Sequence, residues 1–133
     1  YLYRKKIPDL RKYFSEFDLK MKLGLETFDY DFRESVLHKG INEKNPFIIA
    51  EHFDEANFLF GITGQTVESM KQDIELGLEN FERICLNIMC DNTTGVSPDK
   101  AVINSFIKQL YPIYKNNERV DILINNTDFG VGD

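Results

Sequence analysis

The chain has no tryptophan, only two cysteines and only four prolines in its 133 residues. Each shortage excludes something. Cys85 and Cys90 cannot build a disulfide framework, and on a strand and its exit their side chains point to opposite faces, so no mutual bridge is expected. A reduced, cytoplasmic setting is the default that follows. No paired CxxC, no HExxH and no Ser-His-Asp order with an elbow motif occurs, which removes the familiar zinc and hydrolase chemistries. Positive charge is scarce too. A net charge of −6 argues against a general nucleic-acid binder. The local cluster Arg4, Lys5, Lys6, Arg11 and Lys12 reads as the solvated face of a first helix. No apolar run approaches the roughly 18 residues of a membrane span, and no signal-peptide pattern opens the chain, so no membrane partner is expected.

What is present suffices for one core. Hydrophobic residues make up 42%, with 11 phenylalanines, and residues 1–133 read as a single domain. Short apolar runs alternate with helical patterns. Leu10, Tyr13, Phe14 and Phe17 mark one face of a helix over Pro8–Leu19. Strands are expected at Met21–Leu25, Ala56–Phe60, Ile84–Met89 and Val120–Ile124. Helices are expected at Asp29–His38, from Asn45-Pro46 onward, at Thr66–Asn80, and after Ser97-Pro98 with Ser97 as N-cap. The two histidines, His38 and His52, fall on helices and read as packing or surface residues. Crossover helices between strands imply parallel pairing, and the apolar strands suggest burial on both faces. The pattern fits an α/β fold with about four parallel strands, either part of a barrel or an open doubly wound sheet.

The polar residues gather at strand ends. Glu26-Thr27, Gly61 to Thr66, Asp91 to Thr94 and Asn125 to Asp128 each follow a strand, and the carboxyl edge of a parallel sheet is where ligands bind. Gly61-x-x-Gly64 before the helix at Thr66 allows close backbone approach to a ligand, yet it matches neither the phosphate loop nor the dinucleotide fingerprint. Glu26 places a carboxylate at the sheet edge, where it could accept bonds from a ligand amine or ribose; the plainer reading pairs it with a cation such as Arg33.

Two segments carry a resemblance. Lys22-Leu23-Gly24-Leu25-Glu26-Thr27, with the helix that follows toward Lys39-Gly40, resembles the fourth strand and helix of radical S-adenosylmethionine enzymes. Phe60-Gly61-Ile62-Thr63-Gly64-Gln65-Thr66-Val67-Glu68 resembles that family's fifth-strand turn. The resemblance spans Met21 to Asn92 and implies a partial barrel whose mouth holds S-adenosylmethionine and an iron–sulfur cluster. It implies a cofactor site at Glu26, Thr27, Gly61, Gly64, Gln65 and Thr66, with Asn87, Asn92, Asn125, Asn126 and Asp128 facing a small-molecule substrate. The departure lies in the cysteines: the family's Cys-x3-Cys-x2-Cys loop is absent. The resemblance therefore implies the C-terminal half of such a barrel, inactive alone, with no cofactor expected on this chain. Its partner would be the missing N-terminal half, and an exposed sheet edge would favour self-association. The alternative is a stand-alone flavodoxin-like binding or regulatory domain. A metal-independent aldolase or lyase barrel fits less well, because no lysine ends a strand.

Overall fold

A computed structural model describes residues 1–91 and 95–124. A 3-10 turn at Arg4–Lys6 leads into α1 (Ile7–Tyr13); then follow β1 (Lys22–Glu26), α2 (Tyr30–Ser35), α3 (Pro46–Ala50) and β2 (Glu55–Phe60). After these come α4 (Val67–Asn80), β3 (Arg83–Ile88), α5 (Lys100–Gln109), α6 (Tyr111–Tyr114) and β4 (Val120–Leu123). All three strand pairings are parallel, and the order across the sheet is β1-β2-β3-β4.

That order decides between the two architectures. Right-handed crossovers taken always in the same direction put every connecting helix on one face and curl the sheet toward a barrel. A doubly wound sheet reverses direction and places helices on both faces. The stand-alone flavodoxin-like reading is thereby corrected. The expectation that both strand faces are buried is corrected as well. Leu23, Leu25, Ala56, Phe58, Phe60, Ile84, Leu86, Ile88 and Val120 are buried beneath the helices. Of the alternate residues, Lys22, Arg83 and Asp121 are exposed, Gly24, Asn57 and Asn87 are half-buried, and Cys85 is buried.

The helix side is held by aromatic packing. Phe28, Phe58, Phe60 and Phe106 form a chain of rings with successive centroids 5.7, 6.4 and 5.7 Å apart. α4 presses onto β2 and β3 at Gly77, where a Cβ would stand 2.9 Å from Phe58 Cε2. Its start carries a capping box: Thr66 Oγ1 accepts from the Ser69 amide, and Ser69 Oγ accepts from the Thr66 amide.

Several boundaries differ from the pattern. α1 stops at Tyr13, and Tyr13 and Phe17 are 82% and 71% exposed, so of the apolar stripe predicted there only Leu10 and Phe14 are more than half covered. α5 is capped by Asp99, whose carboxylate accepts from the Ala101 and Val102 amides, and not by Ser97. His38 and His52 lie just beyond α2 and α3.

Candidate functional site

Because the strands are parallel, their carboxyl ends share one rim. Glu26 closes β1 with φ 72°, a left-handed conformation unusual for a side-chain-bearing residue, and the β1–β2 register shifts between Gly24 and Glu26. The bulge re-aims the carboxylate. Glu26 Oε1 accepts from Lys39 Nζ at 2.9 Å, so its cation is Lys39 rather than the Arg33 considered from sequence. Both side chains stand close over Gly24: a Cβ there would lie 3.5 Å from Glu26 Oε1 and 3.6 Å from Lys39 Nζ. Bare backbone thus lies beneath a charged pair that is still partly open to solvent.

Two buried charges shape this rim from below. Arg33 is fully buried and donates to the carbonyls of Thr27, Ile41 and Glu43 at 3.0, 3.0 and 2.6 Å. Asp73, from α4, accepts from the Phe28 amide at 2.7 Å. Burial raises the Asp73 carboxyl to about 7, while bonds from Phe28 and Thr27 and the charge of Arg33 work the other way. Thr27 is itself buried, and its hydroxyl accepts from the Asp29 amide. It belongs to the turn's interior.

The turn after β2 is built by Gln65. Its side-chain oxygen accepts from the Gly61 and Ile62 amides at 2.9 and 3.0 Å, and its Nε2 donates to the Leu59 carbonyl. Gly61 and Gly64 both have φ 99°, which only glycine adopts without strain. Gly64 lies against the Phe32 ring of α2, so the β1 and β2 exits meet. Thr63 Oγ1 donates to Asp99 Oδ2 at 2.9 Å, and chiefly through that bond the Asp99 carboxyl is held below the usual carboxylate range.

The helix-free face completes the site. Gly24, Asn57, Cys85 and Asp121 lie in register across four strands, and Leu59, Asn87 and Leu123 form the next layer toward the rim. Toward the amino ends, Lys22 pairs with Glu55 and Arg83 with Asp121, an alternating charge ladder forming the floor. Asn87 therefore faces the same concavity as Glu26. Asn92, Asn125, Asn126 and Asp128 lie outside the described residues. Lys39 entered the sequence reading only as the end of the resembling segment, with no role, and Asn57, Asp73 and Asp99 were not singled out. Strand alternation could have found Asn57, since it shares parity with Glu55 and Leu59; nothing local marks the others.

The cysteines do not fit an iron–sulfur cluster. Neither Cys85 nor Cys90 is in a disulfide; Cys85 is buried, and burial raises its thiol. No group of three or more His, Cys, Asp or Glu suited to a metal occurs among the described residues. No described helix is long and apolar enough to cross a membrane.

Neither a family model nor a curated protein matches the chain. A solved structure does: a queuine lyase from Clostridium spiroforme bound to SAM and queuine, 40% identical, with TM-score 0.89. The likeness covers 100% of this chain and 57% of that one, so the chain spans little more than half the length of that protein. Sequential parallel strands, one helical layer and likeness from end to end give one conclusion: the chain matches part of a radical S-adenosylmethionine enzyme barrel.

Proposed function

We propose that this chain supplies part of the S-adenosylmethionine and substrate site of a radical S-adenosylmethionine enzyme acting on queuine, and is inactive by itself. The supporting observation is the Glu26–Lys39 pair over bare Gly24, at the mouth of a helix-free face, in a chain 40% identical to a protein holding both ligands.

Glu26 is the direct contact: its carboxylate accepts hydrogen bonds from the cofactor's ribose hydroxyls or ammonium group. The backbone from Gly61 to Thr66 follows the adenine, where two glycines leave the peptide edges unscreened. Thr27 and Gln65 act by holding backbone in place, since both are buried. Asn87 faces the substrate. Bound S-adenosylmethionine supplies radical chemistry on one-electron reduction. The residues that would hold the reducing cluster are not in this chain, because two dispersed cysteines do not make the ligand set.

Two measurements test the reading. In the whole encoded protein, Glu26→Gln is expected to weaken S-adenosylmethionine binding by about tenfold, the equivalent of one charge-assisted bond. Unchanged affinity would remove Glu26 from the site. The 133-residue chain alone, reconstituted anaerobically with iron and sulfide and then desalted, is expected to stay colourless. Retained brown absorbance would overturn the claim that the cluster ligands lie elsewhere.

A further inference from the structure

We infer that Asn57 is a ligand-reading residue, whose side-chain amide accepts a hydrogen bond from a ring N–H or exocyclic amine of a planar heterocyclic substrate lying on the helix-free face. The inference rests on the functional reading above and deepens it by naming a substrate contact.

The starting point is an unmet acceptor. Asn57 Oδ1 is shut off from solvent and has no hydrogen-bond partner among the described residues. Buried polar atoms in folded proteins are nearly always paired, and those left over mark places where a ligand or water completes the count. Asn57 lies in the middle of the sheet, on the second strand of four, with Gly24 in register on one side and Cys85 on the other. Both neighbours are small. The Glu26–Lys39 pair reaches over Gly24 on one side and the Lys22–Glu55 pair stands toward the floor, so a flat ring beside the amide would meet an ion pair at each of those edges.

The chemistry of the surround narrows the ligand. One layer nearer the rim, Asn87 sits in register between Leu59 and Leu123. Strand spacing and rise put the Asn57 and Asn87 backbones roughly 8 Å apart on the diagonal. Two amides set among apolar side chains suit a ring with apolar faces and a polar edge. A single ionic group would be held by the charged pairs instead. Asparagine amides read such edges because one group offers an acceptor and a donor side by side.

The test uses the whole encoded protein with queuine and S-adenosylmethionine as probes in separate equilibrium titrations. Asn57→Leu is expected to weaken queuine binding at least tenfold, leave S-adenosylmethionine affinity unchanged, and leave the ligand-free melting temperature equal or higher. Asn57→Asp keeps an acceptor and should hold queuine affinity within a few-fold of wild type. Queuine affinity unaltered by Asn57→Leu would overturn the inference, as would a parallel loss of S-adenosylmethionine affinity. Wild-type protein that binds S-adenosylmethionine but not queuine would instead sink the substrate reading on which this contact depends.

Discussion

Lys39 Nζ lies 2.9 Å from Glu26 Oε1, joining the last residue of β1 to the coil that follows α2. The carboxylate it meets is carried on a backbone with φ 72°. Non-glycine residues in that region cost roughly 1–2 kcal/mol, so the rim stores strain at its proposed contact. Glu26→Gly and Glu26→Ala both delete the ion pair, but only the first relieves the backbone. The glycine variant is expected to be about 1 kcal/mol more stable than the alanine variant, the reverse of the usual order in a strand. Denaturant unfolding of the two variants checks it, and an alanine variant of equal or greater stability would show that no strain is stored.

Asp73 gives a pH dependence with a definite sign. Its carboxyl is raised from the ordinary 3.8 to about 7, so the folded state binds the proton that the unfolded state has released. Stability therefore falls as pH rises between those values and levels off above about 7. A shift of this size corresponds to at most about 4 kcal/mol. Asp73→Asn should flatten the slope between pH 5 and 7.5 while keeping the acceptor for the Phe28 amide. Parallel slopes in urea titrations of wild type and variant would contradict the assignment.

Arg33 makes the larger structural contribution. Removing the buried guanidinium takes a donor from three carbonyls: those of Thr27 and Glu43 lose the bond from Arg33, and that of Ile41 keeps only the Glu43 amide. Arg33→Met is expected to cost about 3–5 kcal/mol, because both the charge-assisted bonds and the paired carbonyls are lost. Arg33→Lys should recover only part of this, since one ammonium cannot reach three separated acceptors in a fixed fork. Equal stability of the lysine variant and wild type would contradict it.

Gly77 is occupied by its neighbours. A Cβ would stand 2.9 Å from Phe58 Cε2 and 3.0 Å from Ile84 Cγ2. Alanine gains roughly 1 kcal/mol of helix propensity there, but overpacking costs roughly 1–3 kcal/mol. Gly77→Ala is expected to destabilise by about 1 kcal/mol, and a stabilised variant in a thermal melt would mean that α4 can lift from the sheet without cost.

The exposed aromatic rings of α1 and the turn after it lead to a prediction about association. Tyr13 and Phe17 are 82% and 71% exposed, and β1 and β4 each pair on one side only among the described residues. The 133-residue chain alone is expected to self-associate in light scattering, with Tyr13→Ser and Phe17→Ser together reducing the effect. A monomer at all concentrations would show that neither the edges nor the rings are adhesive.

The four strands and their parallel sense were legible because apolar runs of strand length alternate with helical spacing, as at Ile84 to Ile88 and then Val102 to Leu110. The rim was legible at β1 and β2, where Glu26-Thr27 and Gly61 to Thr66 follow the strands; the clusters after β3 and β4 lie largely outside the described residues. What escaped was anything set by register or tertiary reach. Lys39 approaches Glu26 only because Arg33 ties the loop that follows Lys39 to the turn that follows Glu26. The resemblance implied cofactor contacts at Thr27 and Gln65; the sequence did not show that both are buried, with side chains that accept from the chain's own amides. Ser97 was the expected cap, but the Asp99 carboxylate both caps α5 and accepts from Thr63, an attachment across the sheet that no local pattern records. The open inner face was hidden by composition, since Leu59, Cys85 and Leu123 made the strands look apolar on both sides.

The three carbonyls held by Arg33 span residues 27 to 43, and no one of them can be released without disturbing the same guanidinium. The segment between them is therefore expected to open as one block, its sheltered amide hydrogens exchanging with solvent at a common rate.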